Sequence, residues 1–215
     1  MGYYPVFIQL KGRRCVVIGG GNIAEGKVNG LLNAEGDVTV VAPSLTANLR
    51  QLRDEGRVKT IEREYQDGDL KGYELCMVAT DDGAVNTTVA AEGKRLGVWV
   101  NASDDTPNCD FILPSVVRQG SIVLAASTGG GSPALARRLR EELTDFLAED
   151  YAPLAELLAA IRTDLRRRNL SPDSEVWAKA IDARFRALVA QRRPDEARTY
   201  LLERLGVSSA LSAEG

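Results

Sequence analysis

A glycine-rich turn near the N-terminus has the spacing of a dinucleotide-binding loop. The apolar run Cys15–Ile18 leads into Gly-Gly-Gly-Asn-Ile-Ala and then into a helical stretch, Ile23–Ala34. In such a turn the first glycine allows a tight bend, the second lets backbone approach a pyrophosphate, and a small third residue lets helix pack on strand. The same turn also occurs in α/β domains that bind nothing, but the strand before it and the helix after it favour a dinucleotide. The candidate cofactor-binding residues of this turn are Gly19, Gly21, Asn22, Ile23 and Ala24.

The end of the second candidate strand bears on the choice of dinucleotide. An acidic residue usually stands there to bind a ribose hydroxyl, but Asp37 lies at the opposite end of the strand. In our interpretation Ser44, or the backbone near Pro43, binds the ribose instead. No arginine stands at this strand end to meet a 2′-phosphate, and the nearest one is Arg50, which favours NAD over NADP.

A second polar group, Thr80-Asp81-Asp82, directly follows the apolar run Leu75–Ala79. The carboxyl ends of parallel strands face the ligand crevice, so we expect Thr80 and Asp81 to contact the adenosine half of the cofactor. Helix capping is an equally good interpretation, because Asp82 precedes a helical stretch that begins at Gly83. The two roles are compatible.

A third polar group, Asn101-Ala-Ser-Asp104-Asp105, follows the next candidate strand. Its side chains should open into the same crevice, beside the nicotinamide. The chain contains no histidine, so a carboxylate in this loop is the natural general base. The alternative is an ordinary polar turn, since these residue types favour turns.

Composition removes several classes of function. Without histidine there is no Ser-His-Asp or Cys-His machinery and no imidazole metal site. Three cysteines without CxxC spacing give no disulfide framework. A net charge of −3 argues against nucleic-acid binding. No apolar run approaches the roughly 18 residues of a membrane helix, and the start lacks the layout of a secretion signal, so we expect a cytoplasmic protein without membrane contact.

The elements that must position these groups alternate between strand and helix over residues 1–112. Candidate strands are Val6–Leu10, Cys15–Ile18, Val38–Val41, Val58–Glu62, Leu75–Ala79 and Val98–Asn101. Candidate helices are Ile23–Ala34, Leu45–Glu55 and Gly83–Leu96. Short connections between alternating elements predict an α/β fold with a doubly wound parallel sheet.

The character of the chain changes after residue 112. Two short strands joined at Gln119-Gly120 predict a hairpin over Ser115–Arg118 and Ser121–Ala126. Ser132 and Pro133 suit the N-cap and first position of a helix. Residues 113–148 are too few for their own core, so we expect a dimerisation region there, with a homodimer as the result.

Residues 149–215 read as an all-helical domain. Proline at 153, 172 and 194 divides the sequence after Pro133 into about four helices. Of the 15 basic residues in 113–215, 14 are arginine, whose planar guanidinium can form two parallel hydrogen bonds with a carboxylate. Solvated helix faces would explain most of them equally well.

Taken together, these motifs resemble the precorrin-2 dehydrogenase family, which is also found as the N-terminal module of siroheme synthase. The resemblance covers residues 4–145. The segments that carry it are Tyr4–Leu10, Val17–Ala24, Ala79–Asp82, Asn101–Asp105, Cys109–Ile112 and Ser127–Ala134. Two positions depart from the family pattern: Thr106 interrupts a run usually written Asp-Asp-Pro, and Thr128 stands in a stretch often written Ser-Ser-Gly-Gly.

The resemblance implies a Rossmann domain that binds NAD, followed by a dimerisation region and a helical domain. It implies oxidation of the tetrapyrrole precorrin-2 to sirohydrochlorin, with Asp104 as the catalytic aspartate. Some members also insert Fe²⁺ as a co-substrate; the sequence fixes no metal site, although Asp104 could contact iron transiently. The candidate residues for binding the carboxylate-rich substrate are Asn101, Thr128, Gly129, Gly130, Ser132 and Arg137.

The main alternative is an NAD-sensing regulatory module without catalysis. It would share the glycine turn but would not need Asp104 or an arginine-bearing tail. A generic small-molecule dehydrogenase is a further alternative, although such enzymes normally place Lys, His or Tyr beside the hydride path. Turnover of NAD with a tetrapyrrole separates these interpretations.

Overall fold

The structure, a computed structural model, describes residues 2–103, 105–147 and 151–207. The chain forms two compact units, Met1–Leu113 and Pro114–Gly215. Each unit has its own hydrophobic core. Among the described residues, no helix has the length and apolar character needed to cross a membrane.

The first unit is built on a five-stranded parallel sheet in the order β3-β2-β1-β4-β5. Its strands are β1 (Arg14–Ile18), β2 (Asp37–Val41), β3 (Lys59–Ile61), β4 (Leu75–Val78) and β5 (Trp99–Ala102). The central strand β1 pairs in parallel with β2 on one side and with β4 on the other. Strand order reverses there, and a crevice at such a point is where open α/β sheets bind ligands.

Three helices cover the two faces of this sheet: α1 (Asn22–Asn33), α2 (Ala47–Asp54) and α3 (Gly83–Leu96). One core cluster contains Val28 of α1 and Leu49 of α2, and a separate cluster contains Val89 of α3. Because the sheet is buried on both faces, its central strands are apolar runs without alternation. The predicted doubly wound α/β fold is confirmed.

The strand predicted over Val6–Leu10 is wrong. Residues 2–9 are exposed and have no regular secondary structure. An apolar alternation makes a strand only where a sheet edge offers hydrogen bonds. The edge strands of the sheet are β3 and β5, and residues 2–9 pair with neither. At β5 the edge is occupied at Val100, whose N–H donates to the carboxylate of Asp110 and whose carbonyl accepts from the N–H of Asp110, both at 2.8 Å.

The second unit begins with the predicted hairpin. Strands β6 (Ser115–Gln119) and β7 (Ile122–Ala126) pair antiparallel. Gly120 in the turn has a φ of 56°, which favours glycine. Helix α4 (Pro133–Leu147) begins where predicted, and the Ser132 hydroxyl accepts a hydrogen bond of 3.2 Å from the Leu135 N–H.

The remaining described helices are α5 (Tyr151–Arg167), α6 (Ser174–Ala180), α7 (Ala183–Ala190) and α8 (Pro194–Arg204). Together with α4 this makes five helices within the described part of the unit, where four were expected. Pro153 lies inside the first turn of α5, where a missing N–H is harmless. A further helix begins after Asp182, whose carboxylate accepts from the N–H of Phe185 at 2.9 Å.

Candidate functional site

The glycine loop after β1 is wedged between the loops that follow β2 and β4. Gly19 has a φ of 121°, and a Cβ built on it would lie 2.3 Å from the carbonyl oxygen of Ala79. A Cβ on Gly20 would lie 2.0 Å from the carbonyl oxygen of Ser44. Only glycine fits at these two positions, so the sequence fixes the loop against its neighbours.

Gly21 faces open space instead. It is the N-cap of α1, and a Cβ there would meet nothing within 4 Å. Ala24, one turn further on, is fully buried against the sheet. The unpaired amides of the first turn and the helix dipole suit an anion in the space beside Gly21. The loop therefore fits the pyrophosphate of a dinucleotide, with Asn22 and Ile23 exposed next to it.

Glu25 is the acidic residue in the first turn of α1, where it could oppose an anion. Its two carboxylate oxygens are bound elsewhere, at 2.8 Å to the Thr46 hydroxyl and at 2.9 Å to the Asn48 amide. Glu25 thereby ties α1 to the loop that follows β2. This contact was not predicted from the sequence, since it joins residues of two different helices.

The loop after β2 presents Pro43 and Ser44, both exposed. Asp37 starts β2 at the far end of the strand and binds the Lys59 ammonium at 2.8 Å. Arg50 donates to the Leu45 carbonyl oxygen at 2.7 Å, so its guanidinium helps to hold this loop.

The residues after β4 show the predicted helix cap. One Asp82 oxygen accepts from the backbone N–H of Ala84 at 2.8 Å and of Val85 at 3.3 Å. The Thr80 hydroxyl accepts from the Asp82 N–H at 3.2 Å. Asp81 is exposed at the same carboxyl edge. Capping by Asp82 is confirmed, while cofactor contacts of Thr80 and Asp81 stay predictions.

Asn101, near the end of β5, is buried, with 6% of its surface exposed. Its side-chain oxygen accepts from the Lys27 ammonium at 2.8 Å, and its amide nitrogen donates to the Phe111 carbonyl at 2.9 Å. Lys27 was missed by sequence reasoning. The feature that could have revealed Lys27 is its position on the apolar face of α1, next to the buried Ala24 and Val28.

Asp104, the predicted catalytic residue, lies outside the described residues. The chain on either side of it is tightly held. Ser103 donates its hydroxyl to the Val78 carbonyl at 3.1 Å, and the Cys109 sulfur accepts from the Ala102 N–H at 3.2 Å. Burial raises the pKa of the Cys109 thiol, which disfavours the nucleophilic thiolate.

In the second unit, the predicted substrate-binding loop is a glycine turn closed by a side-chain hydrogen bond. Gly129 and Gly130 have φ values of 63° and 87°. The Thr128 hydroxyl accepts from the Ser132 N–H at 3.0 Å, closing the turn onto the start of α4. Arg137 is exposed one turn into that helix.

The structure thus brings the predicted cofactor residues of the first unit to one edge of its sheet. Strands β1, β2, β4 and β5 all end there, and each contributes one of the predicted polar or glycine-rich segments. In the described ranges no three His, Cys, Asp or Glu side chains are grouped so that they could hold a metal ion.

This fold and glycine loop define a dinucleotide-binding domain of the Rossmann type. The chain belongs to the family described as "Putative NAD(P)-binding", whose model matches residues 6–115. Cofactor binding by the first unit therefore has two independent supports, the geometry of the loop and membership of this family.

Relatives with similarity along almost the whole chain are siroheme synthases. That of Methylococcus capsulatus is 35% identical over 94% of this chain, and that of Pseudomonas paraeruginosa is 36% identical over all of it. The chain spans 43–47% of the length of these two relatives. The solved structure of SirC, precorrin-2 dehydrogenase, superposes with a TM-score of 0.80 and 29% identity, covering 94% of this chain and all of that one. The family resemblance drawn from the motifs is confirmed.

Proposed function

We propose that this chain oxidises precorrin-2 to sirohydrochlorin and uses NAD as hydride acceptor. The observation that carries the proposal is the carboxyl edge of the sheet, where the glycine loop after β1 packs against the loops that follow β2 and β4, and where β5 also ends. The likeness to a precorrin-2 dehydrogenase along nearly the whole chain supports it.

The first unit offers groups for each part of the cofactor. Gly21 and the first-turn amides of α1 would hold the pyrophosphate. Pro43 and Ser44 would lie against the ribose, and Thr80 and Asp81 against the adenosine half. One N–H of the Arg50 guanidinium donates to the Leu45 carbonyl, directly after Ser44, and its other N–H groups remain donors. NAD rather than NADP therefore stays a prediction from the sequence. When bound, NAD supplies the hydride acceptor.

The proton that leaves with the hydride needs an acceptor of its own. Asp104 follows β5 and would serve as the general base. We place the carboxylates of the substrate at Thr128, Gly129, Gly130 and Ser132, where the start of α4 favours anions, and at Arg137. Asn101, being buried, would act by shaping the loop around Asp104.

Iron insertion is a second candidate activity, favoured by the likeness to siroheme synthases. Fe²⁺ would enter as a substrate, and the tetrapyrrole nitrogens would receive it. Asp104 would take up the two pyrrole protons in turn and contact the ion briefly, since a hard carboxylate suits both tasks.

A homodimer is the assembly we propose. Val116 of β6, Leu135 of α4 and Phe146 of α4 are exposed by 37%, 51% and 63%. A second copy would cover such apolar side chains. Sedimentation at micromolar concentration tests this: a dimer is expected, and a monomer contradicts it. The cytoplasmic location stays a prediction from the sequence.

The deciding experiment is anaerobic absorbance spectroscopy of the protein with precorrin-2 and NAD, followed by addition of Fe²⁺. We expect NADH and sirohydrochlorin to form, and a siroheme spectrum after iron if the second activity is present. Asp104→Asn should lower the oxidation rate about 100-fold or more, the usual contribution of a general base. Asp105→Asn is the matched control, because that side chain binds Asn108 at 2.8 Å. Binding of NAD without turnover would support the regulatory alternative.

A further inference from the structure

The loop between Ala102 and Phe111 is closed by hydrogen bonds at its two ends. The Asn101 amide reaches across to the Phe111 carbonyl at 2.9 Å. The Val100 N–H and carbonyl bind Asp110, both at 2.8 Å. This loop includes position 104, so its closure bears directly on the proposed base.

Cys109 closes the same loop from within. Its sulfur accepts from the Ala102 N–H at 3.2 Å and lies 3.1 Å from the Ala102 carbonyl oxygen, to which the thiol can donate. These contacts hold the backbone just before and just after the central turn.

The orientation of the Asn101 amide decides whether this closure holds. An asparagine side chain can be turned by 180°, which exchanges its oxygen and nitrogen. An ammonium group donates and cannot accept. Of the two polar atoms of the Asn101 side chain, it is therefore the oxygen that accepts from Lys27, at 2.8 Å. With its oxygen held there, Asn101 must direct its nitrogen to the Phe111 carbonyl.

Lys27 also belongs to the helix whose N-terminus faces the pyrophosphate site. It lies six residues after Gly21, and its Nζ is 4.0 Å from the Met77 sulfur in the middle of the sheet. One side chain thus joins α1, β4 and β5, and with them the cofactor-binding helix and the loop of the proposed base.

From this geometry we propose that Lys27 is a positioning residue, which acts through Asn101 to hold the two ends of the 102–111 loop together. The inference rests on the proposed function for its catalytic consequence. Its structural part, closure of the loop by the Lys27–Asn101 contact, stands independently of the substrate.

The test compares Lys27→Met with Lys27→Arg, which keeps a donor-only cation. Lys94→Met is the matched control, because Lys94 is an exposed residue of α3. Three quantities are measured on each full-length variant: kcat for precorrin-2 oxidation, Kd for NAD, and hydrogen exchange of the peptide covering 102–111. Faster exchange confined to one peptide reports local opening, whereas a loss of overall stability would accelerate exchange in all peptides.

For Lys27→Met we expect kcat to fall roughly 10- to 100-fold, since a misplacement of about 1 Å costs about 100-fold. The Kd for NAD should change less than about twofold, and exchange should accelerate in 102–111 alone. Lys27→Arg should recover most of kcat, and Lys94→Met should match the parent chain.

Three results would overturn the inference: unchanged exchange in 102–111, faster exchange with unchanged kcat, or exchange accelerated equally in every peptide. If the parent chain does not oxidise precorrin-2, the proposed function fails instead. The exchange measurement then still decides whether Lys27 holds the loop, so the two failures remain distinguishable.

Discussion

Gly19 and Ala79 approach so closely that a Cβ on the glycine would lie 2.3 Å from the alanine carbonyl oxygen. Both residues stand where a central strand of the sheet ends, and the Ala79 N–H donates to the Ile18 carbonyl at 2.8 Å. Neither backbone can retreat without breaking this hydrogen bond. The contact therefore links the fold to the shape of the cofactor loop.

Gly19→Ala should destabilise the protein as well as impair NAD binding. Its φ of 121° is strained for any residue with a Cβ, at a typical cost of about 1–3 kcal/mol, and the clash with Ala79 adds to this. Urea denaturation should show a lower midpoint with a similar slope. An unchanged midpoint would mean that the loop relaxes freely.

Gly21→Ala should separate binding from stability. At Gly21 the φ is −86° and a Cβ would meet no atom within 4 Å, so alanine fits the folded chain. The added methyl group would occupy the space proposed for the pyrophosphate. Titration calorimetry should show NAD affinity lowered at least about tenfold, or about 1.4 kcal/mol.

Gly26→Ala is the control for that variant. Gly26 is an exposed position of α1 whose Cβ would also meet nothing within 4 Å. In a helix interior alanine is favoured over glycine by about 1 kcal/mol, so this variant should be more stable and bind NAD normally. Equal loss of affinity in both variants would place the pyrophosphate elsewhere.

Local features of this fold could be predicted from sequence, and long-range ones could not. The starts of α3 at Gly83 and α4 at Pro133 follow from caps at adjacent residues. The contact of Lys27 with Asn101 joins residues 74 positions apart, and only the order of the strands brings them together. The failed strand at Val6–Leu10 has the same origin, because a strand depends on a partner that the local sequence does not contain.

Asp81 and Asp82 are neighbours with separable roles. Asp82→Ala removes the cap of α3, whose oxygen accepts from Ala84 and Val85, and should lower the free energy of unfolding by about 1 kcal/mol. Asp81→Ala alters an exposed side chain and should leave stability unchanged within about 0.5 kcal/mol. If Asp81 contacts the adenosine half, this variant should bind NAD more weakly. Unchanged affinity would remove Asp81 from the cofactor site.

Asp182 makes the stability of the helical unit depend on pH, and the direction of that dependence follows from its hydrogen bonds. Its carboxylate accepts from the Tyr200 hydroxyl at 2.6 Å and from the Phe185 N–H at 2.9 Å. These hydrogen bonds, that of Tyr200 foremost, lower the pKa of Asp182 below its usual value. A carboxylate with a lowered pKa stabilises the fold above its unfolded pKa of about 3.9, and this stability is lost as pH falls through the folded pKa.

Replacing Asp182 with Asn should therefore lower stability at pH 7 and matter progressively less as the medium becomes more acidic than pH 4. Asp173→Asn is the control, because Asp173 precedes α6 without a side-chain capping hydrogen bond. Urea midpoints measured at several pH values should converge for Asp182→Asn and the parent chain in acid, and coincide throughout for Asp173→Asn. A constant difference at every pH would mean that the Asp182 site contributes through packing, since a packing contribution does not depend on protonation of the carboxylate.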